Sequence, residues 1–157
     1  MTQRVYAVPF KNVSISAVQD VLGIYAGSAK ALEIHEVRLG QTTITTAAQL
    51  RLTLRRLPAT VTAGTGGTTP TPVPQNKNDT AASFTAHAND ATTQASTSGT
   101  ALDYTPDVWN LVNGYDMLYA PEDRPVINPN EAFIVSLDQA PGSAMNCSGV
   151  AIVAELF

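Results

Sequence analysis

Residues 48–57 read AQLRLTLRRL, and their alternation decides the fold. Leu50, Leu52 and Leu54 fall on one side of an extended chain, Arg51, Thr53 and Arg55 on the other. Successive side chains of a strand point to opposite faces, so this pattern sends the leucines into a core and leaves the others to solvent or a partner. Residues 43–57 include good helix formers, but the apolar positions fit a period of two better than one of 3.6.

Outward from this segment the same period recurs. Residues 132–138 place Phe133, Val135 and Leu137 on one side. Residues 149–157 set Val150, Ile152, Ala154 and Leu156 against Ala151, Val153 and Glu155, so both faces are largely apolar. That predicts a central strand covered on both sides, or one at a subunit interface. Towards the N-terminus, strands are expected at 5–9, 13–18, 21–25 and 31–39. In the last of these the parity passes from Leu32 and Ile34 to Val37 and Leu39, which predicts a β-bulge near His35 and Glu36. Residues 102–120 predict two or three short strands, broken by Pro106 and by the Asn113-Gly114 turn signal. The segment PEDRPVINPNEA then turns at Pro121, Pro125 and Pro129. Many short strands punctuated by Pro, Gly and Asn predict an all-β protein: one domain over 1–157, a β-sandwich of jelly-roll type.

Residues 58–100 break the pattern. They read PATVTAGTGGTTPTPVPQNKNDTAASFTAHANDATTQASTSGT, with Lys77, Asp79 and Asp90 as the only formal charges. A segment so poor in large apolar side chains cannot build a core of its own. Pro70, Pro72 and Pro74 favour an extended, polyproline-like path, and the glycines before them free its direction. Residues 84–88 are expected to form a brief strand within it. The whole is expected to be a long arm that buries little against its own domain and orders mainly on a neighbour.

Composition narrows the function. Of 157 residues only 14% are charged, well under the usual quarter. The net charge of −4 argues against electrostatic nucleic-acid binding. The charge is uneven, +4 up to Thr60 and −8 from Val61 onward. Either copies meet head to tail through complementary surfaces, or the two parts pair within one chain. No window has the apolar length of a membrane span, and the opening MTQRVYAVPF lacks the apolar run of a signal peptide, so a soluble protein made in a cytoplasm is expected.

The chemistry-bearing residues form no catalytic constellation. GTGGTT at 64–69 lacks the Lys of a phosphate loop, and Pro70 stands where a helix would begin. His35 and His87 have no metal-site spacing, and there is no G-x-S-x-G elbow. Cys147 reads as a small core residue. Asn76, Asn78 and Asp79, like Glu122 and Asp123, read as turn formers rather than calcium ligands. No catalytic, cofactor-binding or metal residue is assigned, and a small-molecule ligand is not expected. Tyr104, Trp109, Tyr115 and Tyr119 could line a sugar-binding surface, although such residues are more often core or interface anchors.

The opening VYAVPFKNVSISAVQDVLGIYAG, the EVRLGQ strand end, the 64–96 excursion and YAPEDRPVINPNEAFIVSL together resemble small virion proteins of tailed bacteriophages, of the capsid decoration or cement kind. The resemblance implies a non-enzymatic jelly-roll subunit on the capsid surface, often a homotrimer, bound to the major capsid protein. The candidate capsid or subunit contacts are Thr69, Pro70, Pro72, Pro74 and Asn76 on the arm, and the Arg51, Arg55 and Arg56 face. The alternative is a receptor- or glycan-binding module of a tail or head fibre, which would present aromatics around Trp109 in a concave groove.

Overall fold

The structure is a computed structural model that describes residues 3–43 and 48–156. The described residues form strands β1 (Arg4–Ile15), β2 (Gln19–Tyr25), β3 (Leu32–Gln41), β4 (Gln49–Leu57), β5 (Val61–Thr62), β6 (Val73–Pro74), β7 (Thr85–Asp90), β8 (Ser96–Thr97), β9 (Leu102–Asn110), β10 (Tyr115–Leu118), β11 (Val126–Ile127), β12 (Ala132–Leu137) and β13 (Met145–Glu155). No helix occurs among them.

The pairing is nested. β1 pairs with β13, β2 with β12, β3 with β10, and β4 with β9, all antiparallel. The chain is thus one long hairpin whose two arms are rolled so that successive strands alternate between two sheets. The first sheet runs β10-β3-β13-β1-β6, with β11 also on β3, and the second runs β7-β2-β12-β4-β9. Residues 58–101, between β4 and β9, lie at the tip of that hairpin. A small third sheet pairs β5 with β8 inside this connection.

The leucines of 48–57 do what their alternation requires: Leu50, Leu52 and Leu54 are buried between the sheets with Phe133, Val135, Leu137 and Trp109. β13 is central, between β1 and β3. The predicted bulge is there as well. Ile152 pairs with Glu36 and Val153 with Ile34, so His35 is the extra residue.

Pro106 does not break its strand. β9 runs through it, opposite Thr53, because β9 is at a sheet edge and needs hydrogen bonds on only one side. The extra residue of that strand is Tyr104, since Leu54 pairs with Thr105 and Arg55 with Asp103.

The 58–100 segment departs from expectation in what it lies on. It is extended and mostly exposed, yet hydrogen-bonded along its length to its own sandwich. Thr68 and Ala88 exchange both backbone hydrogen bonds at 2.8 Å, Val73 and Pro74 pair with Ala7 and Tyr6, and the Gln75 N–H donates to Val5 O at 2.8 Å. β1 would otherwise leave its outer edge open, and an unpaired edge recruits any extended strand within reach. The predicted strand at 84–88 exists as β7, which extends the second sheet beside β2. Phe84 is buried in the core and meets Tyr6 edge-on at 5.6 Å.

The connection also covers the outer face of the second sheet. There Leu57, Ala132 and Ile134 form a separate apolar cluster, closed by Tyr25, Val61 and Ala95. β12 is therefore buried on both faces, which accounts for its almost unbroken apolar sequence.

Candidate functional site

The arginine face of β4 is mostly spoken for. Arg55 bonds Asp138 at 2.9 Å and lies 3.4 Å from Asp103, and Arg56 pairs with Glu131 at 3.0 Å. Lys30 pairs with the buried Glu155 at 2.9 Å, and Arg124 with Glu33 at 3.1 Å. Much of the charge asymmetry is thus absorbed within the chain as its two parts fold together. Arg51 is the exception. Its side chain is exposed and makes no ion pair among the described residues.

The arm residues lie on the other edge of the sandwich, along β1. Pro70, Pro72 and Pro74 are half-buried, while Thr71 and Val73 between them face solvent. Thr69 and Pro70 line a groove of about 510 Å³ with Pro9, Phe10, Lys11 and Val13. Asn76 opens a turn: its Oδ1 accepts from the Asn78 N–H at 3.1 Å and its carbonyl from the Asp79 N–H at 3.0 Å. The structure therefore separates the candidate contacts into two places rather than joining them in one.

Sequence reasoning missed a third place. Strands β9, β10 and β11 share one edge of the sandwich, where Leu102, Tyr104, Val108, Val112, Leu118 and Val126 are all exposed, Leu118 by 70%. Residues 108 and 118 read from sequence as ordinary strand residues. Only the edge position of their strands exposes them.

The aromatic stretch divides. Trp109 is fully buried, Tyr115 and Tyr119 are core residues, and Tyr104 alone of the four reaches solvent. The Tyr115 hydroxyl donates to Asp107 at 3.2 Å, and burial pushes its ionisation well up. Among the described residues no groove of aromatics surrounds Trp109. A cleft of about 610 Å³ lies elsewhere, between Tyr25, residues 59–61 and residues 129–131.

The remaining reactive groups are structural. Burial pushes the Cys147 thiol up to about 12, which removes the thiolate. His35 contacts Glu33 at 2.8 Å. Among the described residues no group of three or more His, Cys, Asp or Glu is placed to hold a metal ion. The glycines of GTGGTT serve close backbone approach: a Cβ on Gly67 would stand 2.1 Å from Ala88 O, and one on Gly64 would stand 2.6 Å from Asp90 Oδ2.

Comparison with protein-family models, with curated proteins and with solved structures finds no match.

Proposed function

We propose that this chain is a non-enzymatic virion structural protein, a decoration or cement subunit that binds the outer face of a phage capsid lattice and stabilises the head. The observation that carries the reading is the row of exposed large apolar residues on the β9–β10–β11 edge. Large apolar side chains left exposed along one edge of a folded domain are the kind of surface that a protein partner covers. Many copies repeating a modest contact across capsomer boundaries would add up to substantial stabilisation of a shell.

The sequence resemblance to small phage virion proteins supports the same reading. So does the nested pairing of β1–β13, β2–β12, β3–β10 and β4–β9, an arrangement of the jelly-roll kind. The major capsid protein and further copies of this chain, as a homotrimer, are the partners of this proposal. Its place is the capsid surface after synthesis in a bacterial host. The glycan-binding alternative draws no support from Trp109, which is inside the core.

The test is co-sedimentation of the purified protein with phage heads that lack it, followed by cryo-electron microscopy. Saturable binding at regular lattice positions is expected. Leu118→Asp should weaken it at least tenfold, the loss expected when one large apolar contact is replaced by an unpaired charge. Absence of binding to such heads would overturn the proposal.

A further inference from the structure

Beneath the connection, on the outer face of the second sheet, lie two buried carboxylates. Asp20 on β2 and Asp90 on β7 are directly opposite each other in the strand register and are 3% and 1% exposed. Simple alternation would turn both towards the core, as it does Leu22 and Ala88. Local irregularities accompany their different placement. Val135 pairs with Leu22 and Ser136 with Asp20, so Val21 is a bulge, and Asn89 adopts a left-handed φ of 64°.

Both legs of the connection sit on this pair. The Ala95 N–H donates to Asp20 Oδ2 at 2.6 Å, and Gln94 Nε2 reaches Asp20 Oδ1 at 3.3 Å and Ser136 Oγ at 3.1 Å. On the other leg Gly64 is against Asp90, and Thr65 is bridged to Thr93. Asp90 Oδ2 is a buried acceptor with no hydrogen-bond donor among the described residues; the Gly67 N–H and the His87 imidazole face the carboxylate, with His87 Nδ1 3.5 Å from Oδ2. The other groups facing the pair are the Tyr25 hydroxyl, 3.5 Å from the Gly64 N–H, and Arg55, which Asp138 and Asp103 already engage. The covering segments bring only neutral side chains.

We infer that the Asp20–Asp90 pair is a pH-dependent latch on the 58–101 connection, closed when the pair holds a proton and loosened when both carboxylates are ionised. Adjacent buried carboxylates repel when both are charged. A proton taken from solvent removes one charge and turns the orphaned Asp90 oxygen into a donor. Burial raises both groups above the ordinary carboxylate range, and at Asp90 the charge of Asp20 adds to this while His87 opposes it. The sign follows. A raised native value means that the closed state binds protons more tightly than the open one, so closure strengthens as pH falls and weakens as pH rises through that value. Opening would uncover Leu57, Ile134 and Tyr25 on the outer face of the sheet.

The test is hydrogen exchange of the amides of residues 64–68 and 93–97 in the full chain, corrected for intrinsic rates, at one mildly acidic and one mildly alkaline pH. Several-fold greater protection is expected at the lower pH, with core amides of β12 as an unaffected control. Asp90→Asn should remove most of the pH dependence and His87→Gln should keep it. Should Asp90→Asn fail to fold, Asp20→Asn provides the same comparison. The latch is overturned if protection at these amides is independent of pH, if the dependence survives Asp90→Asn or Asp20→Asn, or if His87→Gln alone abolishes it.

Discussion

Single side chains carry the attachment of the long connection to its domain. Phe84 closes it onto the core through Tyr6, and truncation leaves a cavity that the two sheets cannot collapse. Phe84→Ala should cost about 3 kcal/mol, read from urea unfolding. Glu155 anchors the same end. It accepts from Ser83 Oγ at 2.7 Å, from the Ser83 N–H and from Lys30 at 2.9 Å. Burial alone would raise its pKa, but these donors outweigh burial and hold it below the ordinary value. The native value is depressed, so the stabilisation is complete above the unfolded value of about 4.3 and is lost as pH falls through the native one. Glu155→Gln should therefore cost about 2 kcal/mol at neutral pH, with the difference from wild type shrinking in acid. A pH-independent difference in paired unfolding curves would contradict this assignment. The sign is opposite to that at Asp20 and Asp90, where stabilisation is lost as pH rises.

At the scale of strands, the β4 arginines illustrate how position sets worth. Arg56 is largely covered and faces Glu131, itself almost buried, whereas Arg51 is on the open face. Arg56→Ala should cost about 1 kcal/mol and Arg51→Ala less than about 0.5 kcal/mol in thermal unfolding. Equal losses at both sites would refute that distinction. The strands themselves were legible because sequence pattern reports burial. Leu50, Leu52 and Leu54 alternate with polar residues on a strand with one core face. The apolar runs at 132–137 and 149–154 mark strands with little polar surface to alternate, and even the bulge at His35 shows as a parity shift. Pro106 misled because edge position, which makes proline tolerable, is a property of the sheet and not of the local sequence. The 58–100 segment misled for a related reason. Its composition shows that it cannot form a core, but not that the open edge of β1 and the outer face of β12 are within its reach. The carboxylate pair was illegible, since it depends on irregularities at Val21 and Asn89 in separate strands.

For the whole molecule, the two edges of the sandwich differ in charge and shape. One edge bears the exposed Asp103, Asp116, Glu122 and Asp123, with Arg38 opposite Asp116 and Arg51 opposite Val108 in the strand register. The opposite edge bears the exposed Lys11 and Lys77 beside Val73 and the groove at Phe10 and Pro70. Such surfaces complement each other rather than themselves, so contact between copies would be heterologous, and a heterologous contact closes into a ring when its rotation permits. The homotrimer of the proposed function would follow from closure after three copies. Sedimentation at micromolar concentration should then show trimers that dissociate as salt screens the charges over about 10 Å at 0.1 M and shorter distances above it. Leu118→Asp and Lys11→Glu should each dissociate them, the first by replacing a large apolar contact with a side chain that must be desolvated, the second by setting like charge against the acidic edge. Mixing the two variants should give dimers through the one pair of intact edges but no closed trimers, since each copy still carries one defective edge. A monomer at all salt concentrations would remove self-assembly from the proposal while leaving binding to the capsid lattice to be judged by its own experiment.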